Sequence, residues 1–130
     1  MALLAFTACM SKEAAALKKE YPQYFGLDTS KGLDIIVWQM AADSYSFGLL
    51  PHSEEERDWQ DADLKNLKGV TAEQMKTILS TYKTESITLN VVPWQNPVSS
   101  YIPEDLQGHG GDGPMLAAAY KSKIKKMLSI

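Results

Sequence analysis

Residues 33–40, Leu-Asp-Ile-Ile-Val-Trp-Gln-Met, are β-rich and apolar on both faces from Ile35 to Trp38. Such a run is expected as the central strand of a sheet. After Ala41-Ala42-Asp43, residues 44–50 alternate, with Tyr45, Phe47 and Leu49 on one face, and Pro51 ends them. The two runs predict an antiparallel hairpin.

The best-signalled helix follows at Thr71. Thr71 with Gln74 three positions on makes a capping box, Val70 and Met75 are placed for a hydrophobic staple, and Met75, Ile78, Leu79 and Tyr82 mark one stripe. Residues 86–92 alternate again, with Ile87, Leu89 and Val91 together and Pro93 as the stop. The order strand, strand, helix, strand predicts a crossover that returns the third strand to the same sheet and covers one face. Upstream, Ser11 caps a helix of about nine residues that ends before Pro22. Tyr21, Tyr24 and Phe25 supply aromatic surface for the sheet. The expected fold class is α+β, a small sheet of about three strands with a ββαβ core, packed with helices and carrying N-terminal and C-terminal helices.

The boundaries follow from composition. Residues 1–10 are an apolar N-terminal segment, 11–102 the α+β domain, 103–113 a Gly/Pro-rich linker and 114–130 a basic amphipathic helix with Leu116, Tyr120, Ile124, Met127 and Leu128 on one face. A chain of 130 residues with 45% apolar side chains can bury one core without disulfide or metal. The net charge of −3 argues against general nucleic-acid binding. The charge is polarised: Glu54, Glu55, Glu56, Asp58, Asp61 and Asp63 face only Arg57, whereas Lys121, Lys123, Lys125 and Lys126 follow Pro114 with no acid among them. A short acidic helix from Ser53 is compatible with its Ser-Glu-Glu-Glu start.

Most chemistry-bearing patterns fail their own tests. His109 and Asp112 lie among glycines that do not follow a strand, so they form no phosphate loop. Counted from Asp61, a calcium loop would need glycine where Asn66 stands and glutamate where Ala72 stands. His52 and His109 are the only histidines, neither in a recognisable motif, and Glu104-Asp105 is not diagnostic. No enzymatic activity, cofactor or metal is expected. The basic helix offers a surface for anionic lipid or a partner groove, beside the plainer reading in which its apolar stripe docks on its own domain.

Two segments carry the functional expectation. Pro93-Trp94-Gln95-Asn96-Pro97-Val98-Ser99-Ser100-Tyr101 stiffens a loop that presents aromatics, amides and hydroxyls, which makes Trp94, Gln95, Asn96 and Tyr101 the candidate binding residues. Residues 2–9 form an apolar run that ends in small residues and Cys9 before polar Ser11, the tail of a lipoprotein signal in which Cys9 would be lipidated. No Lys or Arg precedes that run.

The phrases at 24–33 (Tyr-Phe-Gly-Leu-Asp-Thr-Ser-Lys-Gly-Leu), 37–41, 45–51 and 93–97 together resemble small uncharacterised proteins of gut Gram-positive bacteria, several of which begin with a lipoprotein signal. The resemblance covers roughly residues 17–102 and implies no activity or catalytic residue. The resulting expectation is a non-catalytic binding module, lipid-anchored outside the cytoplasm if translation starts upstream, that recognises a protein partner or ligand. Its membrane contact would be through Cys9. The alternative is a small acidic cytoplasmic inhibitor or adaptor that docks a basic surface of a larger machine through Glu54 to Asp63; a small hydrolase is the third reading.

Overall fold

In the computed structural model the described residues are 10–41, 44–54, 67–93 and 113–130, the side chains of Gln39, Met40 and 113–117 excepted. Helix α1 spans Lys12–Glu20, starts where the Ser11 hydroxyl accepts a hydrogen bond from the Ala14 N–H (3.0 Å), and stops before Pro22. A 3₁₀ turn at Pro22–Tyr24 leads toward the sheet. Strands β1 (Leu33–Ala41) and β2 (Ser44–Pro51) pair antiparallel, helix α2 covers Ala72–Leu79, and β3 (Leu89–Pro93) returns parallel to β1. Helix α3 runs Gly113–Met127. The sheet order is β2-β1-β3, so the doubly apolar run is the middle strand and the ββαβ order holds.

Both faces of β1 are buried. Leu33, Ile35 and Val37 meet Phe47, Leu49 and Val91 on the face that Leu17, Met75, Ile78, Leu79, Tyr120, Ile124 and Leu128 cover. All three helices thus contribute to one cluster, and α3 is part of the core. On the opposite face lie Asp34, Ile36 and Trp38, all buried. Residues 67–70 close against the far edge of β2, where Val70 exchanges two backbone hydrogen bonds with Phe47 (2.9 Å each). A Cβ on Gly69 would stand 2.7 Å from both Trp38 and Ser46, so only glycine lets the chain pass this close.

Three boundaries differ from the sequence reading. Residues 84–86 form a 3₁₀ turn and β3 begins at Leu89, because Leu33, the first residue of β1, pairs with Leu89 and leaves residues 86–88 without a partner strand. Helix α2 ends at Leu79, yet Tyr82 still packs on the core; its hydroxyl donates to the Tyr24 carbonyl (2.6 Å) and accepts from the Leu27 N–H (3.3 Å). Gly113 opens α3 instead of closing the linker, with Pro114 supplying a preset helical φ in the first turn. The short acidic helix weighed from Ser53 falls on residues outside the described ones from 55 onward.

Candidate functional site

The sheet brings three polar side chains together at the end where β1 and β3 begin and β2 leaves. Gly32 precedes β1 with φ +97°, and a Cβ there would lie 2.6 Å from the Thr88 carbonyl oxygen. That close approach lets the Leu33 N–H donate to Thr88 O (2.9 Å) and starts the parallel pairing. The Gly32 carbonyl accepts from the His52 N–H (3.0 Å), which fixes the exit of β2 beside it. In this register Asp34 stands opposite Asn90 on one side and Leu50 on the other.

Asp34 is buried, at 4% exposure, and its Oδ1 is 2.8 Å from Nδ1 of His52 and 3.3 Å from Nδ2 of Asn90. A carboxylate only accepts, so it holds the His52 proton on Nδ1 and turns the Nε2 lone pair away from itself. The 3.4 Å between Asn90 Nδ2 and His52 Nδ1 is then two donors converging on one acceptor. The imidazole is about one-third exposed, at 33% of its side-chain surface. The result is an oriented imidazole at the rim, backed by a buried carboxylate and an amide. Chemically it can accept a hydrogen bond or a proton at Nε2. Among the described residues no group of three His, Cys, Asp or Glu side chains can hold a metal ion.

The residues singled out from sequence lie elsewhere or outside the described part. Cys9, Glu55, Glu56, Asp58, Asp61, Asp63, Trp94, Gln95, Asn96 and Tyr101 are outside the described residues. Glu54 is described; it is exposed, two residues beyond His52. Pro93 closes β3 opposite Val37, three residues from Asn90 and so roughly 10 Å along the strand from it. The acidic segment therefore departs from the His52 end of the sheet, and the Trp94 segment departs from the hairpin end. Near the hairpin end Tyr45 stacks on Phe47 (centroids 6.5 Å apart), and Lys123 Nζ lies 6.0 Å from the Tyr45 ring centroid.

Asp34, His52 and Asn90 were not found as a set by sequence reasoning. The available signal was an acid inside an otherwise apolar central strand and an amide between Leu89 and Val91. Their adjacency depends on a parallel register across 56 positions of sequence. Elsewhere, burial raises the Tyr24 and Tyr82 phenols above the ordinary tyrosine value. The Tyr24 hydroxyl donates to the Lys68 carbonyl. The Asp28 carboxyl is held below its usual range by the Ser30 N–H, which donates to Oδ1 at 3.0 Å. A recess of about 120 Å³ lies between Ser11 and Ala14 and the 80–83 turn, and an open groove of about 390 Å³ lies between the 84–89 segment and the end of α3. The first is below the 300–1,000 Å³ typical of small-molecule sites. No family model, curated protein or solved structure matches the chain.

Proposed function

We propose that this chain is a non-catalytic binding module, held outside the cytoplasm by lipid on Cys9, which recognises a protein partner or ligand through the loop that follows β3. Trp94, Gln95, Asn96 and Tyr101 are its contact residues, with the neighbouring aromatics as support. The observation that favours this reading is the position of Pro93. It ends β3 in register with Val37 of the middle strand, so the chain leaves the sheet on the side toward the β1–β2 hairpin, across β1 from Phe47. A proline-stiffened segment that offers Trp94, Tyr101, amides and hydroxyls suits a recognition surface.

The test is affinity capture from the native host with the wild type and with Trp94→Ala, alongside thermal unfolding of both. Loss of a captured partner with an unchanged unfolding midpoint supports the loop; identical capture by both proteins counts against it.

One observation favours a second reading, the small hydrolase. A buried carboxylate that orients a partly exposed imidazole is the pairing used by general bases. A screen of esters and phosphoesters decides between the two. Turnover that disappears in His52→Gln supports the hydrolase, and turnover that survives the substitution removes His52 from consideration.

A further inference from the structure

The chain is acidic as a whole, at −3, but its charges are not spread evenly over the fold. Helices α1, α2 and α3 all pack on the same face of the sheet, since Leu17, Met75, Ile78, Leu79, Tyr120, Ile124 and Leu128 belong to one cluster. Their outward sides therefore share one side of the domain. On α1, Lys12, Lys18 and Lys19 are exposed against Glu13 and Glu20. On α2, Glu73 and Lys76 pair with each other at 3.1 Å. On α3, Lys121, Lys123, Lys125 and Lys126 are exposed with no acid on that helix. At 100° per residue Lys123, Lys125 and Lys126 lie on the side of α3 away from the buried stripe, and Lys121 flanks the stripe. The helical layer is thus cationic in a chain that is anionic overall.

We propose that this helical layer docks against an anionic phospholipid surface, with the lysines of α1 and α3 lying on the headgroups. The proposal builds on the lipid-anchored reading, in which Cys9 would be modified. Helix α1 begins three residues after Cys9, so at full extension that stretch spans about 10 Å and a lipid there would hold α1 against the bilayer. A polybasic surface beside a lipid anchor adds electrostatic attraction to anionic headgroups and sets which side of the domain faces them. The apolar stripe of α3 is already buried, with Ile124 at 0% and Tyr120 and Leu128 at 2% exposure, so the contact is electrostatic and the helix does not insert. A nucleic acid is the less favoured polyanion, because acids of the same chain repel an extended phosphate backbone, whereas a planar surface touches one side only.

The experiment is co-sedimentation of the unlipidated chain with vesicles of phosphatidylglycerol and phosphatidylcholine, compared with phosphatidylcholine alone. The expected result is at least about tenfold stronger partition to the anionic vesicles at low salt, lost near 0.5 M salt, where the Debye length shrinks to roughly 4 Å. Lys121→Gln, Lys123→Gln, Lys125→Gln and Lys126→Gln combined should abolish the preference while thermal unfolding is retained; Lys12→Gln, Lys18→Gln and Lys19→Gln combined should weaken it. Equal partition to both vesicle types, or a preference that survives all seven substitutions, overturns the proposal. Mass spectrometry of the N-terminal peptide from the native host tests the lipid on Cys9 separately, so failure of the anchor and failure of the surface give different results.

Discussion

A carboxylate in the middle strand of a sheet gives up its water when the chain folds, and Asp34 recovers hydrogen bonds from His52 and Asn90 in exchange. Removing the acceptor strands two donors at the sheet end. Asp34→Ala is expected to cost about 1–3 kcal/mol, read from denaturant unfolding, and an unchanged midpoint would show that the cluster carries no stability. The buried phenols set a limit at high pH. Burial raises Tyr24 and Tyr82 above their unfolded value, so both ionise more readily in the unfolded chain. Their contribution is complete below the unfolded value near 10 and is lost as the pH rises through the folded values. Thermal unfolding should therefore fall steeply above about pH 10 in the wild type and less steeply in Tyr24→Phe, which has no phenol to ionise at that position. Asp34 itself was legible only as an anomaly, an acid between Leu33 and Ile35; its purpose required the partner strand.

At the scale of single elements, local chemistry was largely legible. The Thr71 capping box forms as its residues indicate, with Gln74 N–H donating to Thr71 Oγ1 (3.1 Å) and Thr71 N–H to Gln74 Oε1 (2.9 Å). Ser11 caps α1, and Phe47 and Leu49 of the alternating run 44–50 reach the core, although burial in β2 does not alternate because Gly48 between them is buried as well. These signals lie within a few residues of what they specify. The beginning of β3 did not, since it is set by where β1 starts and by the tight Gly32–Thr88 approach. The end of α3 also escaped a glycine-based reading. Ser129 sits at φ +58°, with Ile130 N–H donating to Lys125 O (2.9 Å) and Ser129 N–H to Lys126 O (3.1 Å), a Schellman closure normally made with glycine. Ser129→Gly should relieve that left-handed residue and stabilise the fold by about 0.5–1 kcal/mol; a destabilised variant would contradict this account of the helix end.

For the whole molecule, the decisive contact is the return of α3 to the core. Tyr120, Ile124 and Leu128 are at most 2% exposed and join the same cluster as the sheet and the other helices. Each large apolar side chain lost from such a core costs about 2–5 kcal/mol, against a typical total stability of 5–15 kcal/mol. Deleting residues 114–130 should leave the chain largely unfolded at 37 °C by circular dichroism, and a cooperative transition at the wild-type temperature would contradict the packing. The apolar stripe that requires this was visible in the sequence; its destination was one of two open readings, because periodicity shows that a face is apolar but not what covers it. The central claim concerns recognition at the hairpin end, and the most direct test is a bis-photocrosslinkable or affinity-tagged wild type compared with Trp94→Ala in the native host. The account predicts a partner captured by the wild type and lost in Trp94→Ala, with both proteins unfolding at the same temperature. The same partner captured equally by both would contradict it.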